Sequence, residues 1–557
     1  MTANVFTLEI IKDSLVAVGE EMFNAMLRTS MSPIIYESTD FAVGATDAAG
    51  NLLAQGNGVT AFLAALDTAV TSTLQHYEPS EIRPGDVFIT NTPYEGGGTH
   101  LSDVAILIPV FHGDVLVAWT VNKAHWTEVG GATPGSVSTT ATEIYQEGLR
   151  FTFVKLYDQG KINQVLVQII RDNVRLPDST LGDMHAGVAA ARVGEKRILE
   201  LVAKYGRAPV LHAMDELLDY GERMTRDALA QIPHGVYEAE DLIEDDGLGN
   251  GPFAVKVKVT IGDSKLVVDY TGSASQARGP INCSYAGLVT GARCLFKAIT
   301  NSEIPANGGC FRMLEVICPP GTLLSAVEPA PVSLNYEARN AAIDVFWKAV
   351  APILPDRLPA GHQRSVGATF ISGQHPDTGN LFVMGEPLVG GWGASQDSDG
   401  DSGQFCCSNG ETYNIPCELF ESRYGLQVAQ YAFHDQDGGA GKFRGGKGVV
   451  LDYRVTAERV YLTYAASRTS SRPWGALGGQ EGSNNYAEVH RANGLVERHN
   501  MCTTVPVDQG EIIRIYSGTG GGHGDPLARP RDQVESDVKN GFITKEQAAE
   551  HYGFQPA

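Results

Sequence analysis

A mixed α/β (α+β) fold, built as a large multi-layer chain with several antiparallel β-rich regions, is predicted from three observations. Ile11, Leu15, Val18, Met22 and Met26 recur at helical spacing near the N-terminus. The apolar runs VAILIPVF (104–111) and VLVAWTVN (115–122), rich in β-branched residues, flank a short polar turn, the pattern of an antiparallel hairpin. No alternating series of strands and helices runs along the chain, which excludes a doubly wound parallel sheet.

Taken in order, the elements follow from the same rules. An amphipathic helix is predicted over 7–28, then two strands over 40–46 and 51–55 joined by a DAAG turn, then the hairpin around His112, Gly113 and Asp114. The pattern turns helical over 181–232, where RILELVAKY and MDELLDYGERMTRDALAQI carry the clearest mid-chain helical signal. Strands return with FAVKVKVTI and KLVVDYT, joined at Gly262, Asp263 and Ser264. Beyond residue 351 the chain is glycine-rich and β-leaning; GEPLVGGWGAS, GGAGKFRGGKG and GTGGGHGDP imply loops that need positive φ or close approach of backbones. A helix-like tail over 533–551 closes it. Three regions result: 1–235, an α/β region bearing a metal site; 236–350, β-rich; and 351–557, glycine-rich with a terminal helix.

A chain of 557 residues is long enough for two to four domains of about 100–200 residues. The net charge of −23 excludes nucleic acid or an anionic membrane surface as the main partner, since both select for clustered Lys and Arg. No apolar run approaches the ~20 residues of a spanning helix, and the first residues lack the basic and apolar segments of an export signal. Eight cysteines are sparse for this length, and the adjacent Cys406 and Cys407 are not a CxxC pair. A reduced, cytoplasmic protein is expected.

The chemistry is concentrated in GGGTHLSD (96–103) and KAHW (123–126). His100, Asp103 and His125 are imidazole and carboxylate ligands of the kind a borderline divalent cation takes. If Phe111 faces Asp114 across the hairpin turn, counting outward sets His100 opposite His125, with Cβ atoms roughly 4.5–5.5 Å apart. Asp103, at an odd offset from His100, would then face the other way unless the three glycines make the backbone irregular; a register change of one residue alters the pairing. Other motifs are weaker. GGAGKFRGGKG lacks the Gly-Lys-Ser/Thr ending of a phosphate-binding loop, no GxSxG elbow occurs, and DSDGDSG lacks the glycine and final glutamate of a calcium loop. His523 follows three glycines that permit close approach of a ligand.

The ordered series SPIIYESTDF from Ser32, TPYEGGGTHLSD from Thr92, KAHWTEVGGATPGS from Lys123, YQEGLRF from Tyr145 and RDNVRLPDSTLGD from Arg171 resembles a known family. DYTGSASQARGPIN from Asp269, IPANGGCFR from Ile304, NIPCELFE from Asn414, DGGAGKFRGGKG from Asp437 and SGTGGGHGDPL from Ser517 continue it. The family is the hydantoinase B/oxoprolinase group, the β-type subunits of ATP-dependent cyclic amide hydrolases. The resemblance implies a divalent metal held by Asp40, His100, Asp103 and His125, with zinc ahead of manganese or iron. Asp40 enters through the resemblance alone. It implies an A-type partner subunit that binds ATP and magnesium, an (αβ)2 heterotetramer, and a lactam, hydantoin or oxoproline substrate. The alternative that it leaves open is a subunit of an acetone/acetophenone-type, ATP-dependent carboxylase. Glu128 and Glu147 are the candidate general bases.

Overall fold

The computed structural model describes residues 5–63, 65–304 and 306–554. The N-terminal helix runs over Val5–Thr29 and buries the expected stripe of Ile11, Leu15, Val18, Met22 and Met26. It packs on a long helix, Pro177–Tyr205, and both lie on one face of the first sheet. That sheet has seven strands: β1 (Phe41–Asp47), β2 (Leu52–Gln55), β3 (Val87–Thr90), β4 (Asp103–His112), β5 (Val115–His125), β6 (Val154–Asp158) and β7 (Lys161–Ile162). Their order is β2-β1-β5-β4-β3-β6-β7, and every pairing is antiparallel. Strand alternation divides the sheet's side chains. Phe41, Val43, Val104, Ile106 and Ala124 join the core under the two helices, while Ala42, Ala105, Leu107, Trp119 and Val121 meet the Ala65–His76 helix on the other face.

The hairpin forms as expected, but in a different register. His112 pairs with Val115 and Phe111 with Leu116, because the turn is made by Gly113 and Asp114 alone, with Gly113 at φ 64°. A bulge between Val110 and Phe111 then slips the pairing by one more residue, so that Val110 faces Ala118. Asp103, not His100, therefore stands opposite His125.

Further sheets build the rest of the molecule. Gly235–Ile243, Phe253–Ile261, Leu266–Asp269 and Leu314–Ile317 form a four-stranded sheet whose last pair is parallel. One face alternates Glu238, Glu240, Lys256 and Lys258 into solvent; the other is covered by the Asn335–Val350 helix. This helix and Tyr285–Thr300 fall inside a stretch read as β-rich. Asn335–Val350 is buried nearly all round, so no polar face announces its helical period, while Tyr285–Thr300 keeps an exposed edge at Tyr285 and Ala298. Two more antiparallel sheets, of four and five strands, enclose a shared core containing Ile371, Met384, Leu462, Leu451, Tyr453 and Ile515. The tail is two helices rather than one, Arg531–Asn540 and Lys545–Tyr552, separated at Gly541 with φ 76°.

The glycine-rich segments of the last region lie side by side. Gly391 N–H donates to Gly518 O, Gly439 N–H to Gly520 O, Gly520 N–H to Gly446 O and Gly521 N–H to Gly361 O, at 2.8–2.9 Å. A Cβ on Gly391, Gly445 or Gly520 would collide with neighbouring backbone, and none of the three has positive φ. Close approach, rather than left-handed conformation, explains their composition.

Candidate metal centre

Three short pieces of chain converge at one end of the first sheet. Asp103 opens β4 and His125 ends β5, directly across the ladder. Ahead of β4 the chain turns sharply, with Asp103 N–H donating to His100 O at 3.1 Å, which folds the His100 side chain back beside Asp103. Asp40 immediately precedes β1, and its carbonyl accepts from His125 N–H at 3.0 Å. The three glycines before His100 let this turn fit. A Cβ on Gly98 would stand 2.6 Å from the carbonyl carbon of Asn91. Asn91 in turn clamps the loop, its amide donating to Leu101 O at 2.7 Å and to Leu149 O at 2.9 Å.

His100, Asp103 and His125 are all buried, and one ligand atom from each lies within 4.8 Å of the others. His100 Nε2 is 3.0 Å from Asp103 Oδ1, and the two imidazole centroids are 5.1 Å apart. Asp103 Oδ1, His100 Nδ1 and His125 Nδ1 all lack a hydrogen-bond partner. Buried polar atoms are rarely left so, and two imidazoles with a carboxylate form a donor set that zinc, manganese or iron accepts. Asp103 Oδ2 accepts from the Thr99 hydroxyl, a contact that holds the carboxylate in place. The residues fit a divalent ion.

Burial works to raise the Asp103 carboxyl, but His100, His125 and Lys123 outweigh it and hold the group below the usual carboxylate range. Burial, with His100 beside it, pushes His125 down to about 4, so its ring is neutral at pH 7. An ionised carboxylate and a neutral imidazole are the forms that ligate metals. Asp40 lines the same cavity without joining the 4.8 Å group, and burial and the Asp103 charge push its carboxyl up to about 8. The cavity encloses about 60 Å³ and is closed by Val59, Phe62, Tyr336, Arg339 and Phe370.

Glu128 and Glu147 do not line this cavity. Glu128 accepts from Gly130 N–H, Gly135 N–H and Arg175, and Glu147 accepts from the amides of Val332 and Ser333 at 2.8–3.1 Å. Both carboxylates tie loops together, which argues against either as a base. His523 bridges the glycine segments through its backbone and lines a separate cavity with Trp474 and Leu358. In GGAGKFRGGKG, Lys447 donates to the carbonyls of His434 and Gln436, and Arg444 to Asp537, contacts internal to the chain. Sequence reasoning missed Arg339, Tyr336 and Asn91. The signal for the first two was NYEARNAAIDVFW, where Glu337, Arg339 and Asp344 interrupt a run of small and apolar residues.

Residues 4–526 match the family model described as Hydantoinase B/oxoprolinase. A protein of Pseudomonas sp. (strain NS671), described as the B-type component of a D-/L-hydantoinase, is 33% identical over 565 residues, covering 98% of this chain and 94% of the relative. The beta subunit of the caprolactamase of Pseudomonas jessenii is 30% identical, covering 99% and 96%. The crystal structure of the ATP-dependent caprolactamase from Pseudomonas jessenii superposes with a TM-score of 0.93 at 29% identity over 100% of this chain and 97% of that one. Acetone carboxylase in its nucleotide-free structure shares the fold, with a TM-score of 0.91 at 18% identity over 98% of this chain and 79% of that one. With nearly the whole chain matched and the buried His/Asp/His group in place, the protein belongs to the hydantoinase B/oxoprolinase family.

Proposed function

We propose that this chain is the metal-holding subunit of an ATP-dependent cyclic amide hydrolase, completing the ring opening of a substrate activated by an A-type, ATP-binding partner in an (αβ)2 assembly. The observation that carries the reading is the buried, unpartnered group of His100, Asp103 and His125 facing a small cavity, in a chain 30–33% identical to hydantoinase and caprolactamase subunits. A divalent ion there, zinc ahead of manganese or iron, would polarise an amide carbonyl or lower the pKa of water from 15.7 toward about 7.

Catalytic zinc sites usually keep three protein ligands and one open position. His100, Asp103 and His125 supply three, and Thr99 and the β4–β5 ladder keep them in place. Asp40 is the fourth ligand and the one that lets go, because it lines the cavity outside the tight group. Val59, Phe62 and Phe370 restrict water at the reacting carbonyl. No disulfide joins any of the cysteines among the described residues, which suits a reducing, cytoplasmic setting, and no helix among them is long and apolar enough to cross a membrane.

The test is ATP-dependent ring opening of 5-oxoproline, hydantoin, N-methylhydantoin and five- to seven-membered lactams, with the A-type subunit co-expressed. His100→Ala and His125→Ala should lose bound metal and turnover together. Full turnover in metal-free variants would reduce the ion to a cross-link between strands. Consumption of bicarbonate with retention of the carboxylate in product would replace the hydrolase reading with a carboxylase.

A further inference from the structure

The Asn335–Val350 helix brings two unpartnered donors to the metal cavity. Arg339 is 4% exposed and Tyr336 8% exposed, both line the cavity, and neither Arg339 Nε nor Tyr336 Oη has a hydrogen-bond partner. The two residues are three apart on the helix and so share a face. The Tyr336 ring meets His100 edge-on at 6.4 Å, which sets these donors beside the His/Asp/His group. The one hydrogen bond that the guanidinium makes among the described residues is from Nη2 to Ser408 Oγ, at 3.2 Å. No carboxylate lies within 4.0 Å of it among those residues. Of the wall carboxylates, Glu386 is already engaged by Asn414, the Ile415 amide and Tyr453, Asp103 faces His100, and Asp40 feels the Arg339 charge without pairing with it.

A buried guanidinium without an ion pair is costly, and proteins retain one where an anion completes it. Arginine's planar fork matches carboxylate and phosphoryl oxygens, and this one stands in the first turns of a helix, at the positive end of its dipole. Leu334, at the N-cap position, offers no side-chain acceptor there.

We propose that Arg339 and Tyr336 form an oxyanion-binding subsite beside the metal group, which grips a carboxylate or phosphoryl group on the small molecule that enters the cavity. Only the identity of that molecule rests on the amide-hydrolase reading. Under it, the oxyanion is the carboxylate of a substrate such as 5-oxoproline or the phosphoryl group left by activation.

The test is calorimetric titration of the full-length, metal-loaded chain with inorganic phosphate and, separately, with acetate. Wild type, Arg339→Met, Arg339→Lys and Tyr336→Phe are compared at equal metal content. The methionine variant should bind the preferred anion at least about 10-fold more weakly, the lysine variant should recover part of the loss, and Tyr336→Phe should fall between. Without anion, Arg339→Met should melt no lower than wild type, since it removes an unpaired buried charge. A preference for phosphate identifies the phosphoryl group, and a preference for acetate identifies a substrate carboxylate. The subsite is overturned if wild type binds neither anion, if Arg339→Met binds both as tightly as wild type because the metal alone holds them, or if it melts lower with anion affinity intact. Anion binding that depends on Arg339 in a complex that opens no ring would sink the hydrolase reading and leave the subsite standing. Ring opening with Arg339-independent anion binding would do the reverse.

Discussion

Gly98 controls the position of His100, and adding one methyl there tests the metal centre without touching a ligand. A Cβ on Gly98 would stand 2.6 Å from the Asn91 carbonyl carbon and closer still to its oxygen, whereas ordinary contact begins at 3.4 Å. The two backbones must therefore part by at least 0.8 Å, the difference between those distances. Asn91 cannot yield easily, because its side chain holds Leu101 O at 2.7 Å and accepts from Phe151 N–H at 2.7 Å. The His100 loop moves instead, by more than the roughly 0.5 Å that a preorganised site tolerates. Gly98→Ala should cost about 1–3 kcal/mol of stability as overpacking and weaken metal binding by about 10–100-fold. Gly113→Ala, at the far end of the same hairpin, is the control. It has φ 64° and meets nothing within 4 Å, so it should cost about 1–2 kcal/mol in backbone strain and leave metal affinity unchanged. Zinc affinity by competition with a chromogenic chelator, read beside melting curves, separates the two effects. Wild-type affinity in Gly98→Ala, or equal losses in both variants, would refute the reasoning.

Other consequences follow from the same contacts. Thr99→Val removes the hydroxyl that donates to Asp103 Oδ2 and should weaken zinc binding by about 10-fold with the melting temperature of the chelated protein little changed; unaltered affinity would deny Thr99 its positioning role. Burial pushes the Glu147 carboxyl from 4.5 up to about 8, against the Val332 and Ser333 amides. Because its folded value lies above its unfolded one, its contribution to stability is complete below about pH 4.5 and is lost as the pH rises through about 8. Glu147→Gln should flatten the fall in melting temperature across that window, and an identical slope in both proteins would contradict this. Arg468 bridges Asp241 at 2.7 Å and the fully buried Asp344 at 2.5 Å. Arg468→Met should destabilise by about 3–5 kcal/mol in chemical denaturation, with partial recovery in Arg468→Met/Asp344→Asn; a double variant no better than the single one would show that the unpaired aspartate is not the cause.

The first third of the fold was legible because its elements carry strong local signals. The stripe on Val5–Thr29 reports one buried face, and β4 and β5, buried on both faces, read as continuous β-branched runs on either side of a short turn. Asn335–Val350 was not legible, since burial on all sides erases the period that identifies a helix. At the site, residue types were readable and register was not. A turn lying one residue later than expected, together with one bulge, moved Asp103 into the place expected of His100, and the irregular backbone implied by three glycines proved to be the turn that carries His100. Asp40 was reached by resemblance alone, and it does line the cavity. Arg339 and Tyr336 arrive from more than 200 residues away, so no local pattern joins them to GGGTHLSD.

The glycine segments also bear on the order in which this protein can be completed. Gly391, Gly439 and Gly446 find their partners at Gly518 and Gly520, which a ribosome adds only after most of the 557 residues. Until then the segment beginning at Gly361 lacks its bond to Gly521, one of several that hold it, and it is this segment that carries Val366, Ala368 and Phe370 into the cavity wall. Closures between distant parts of a chain are slow compared with hairpins such as β4–β5. His100 and His125 are thus brought together by a local hairpin, while the last contacts of the chamber around them wait for the end of the chain.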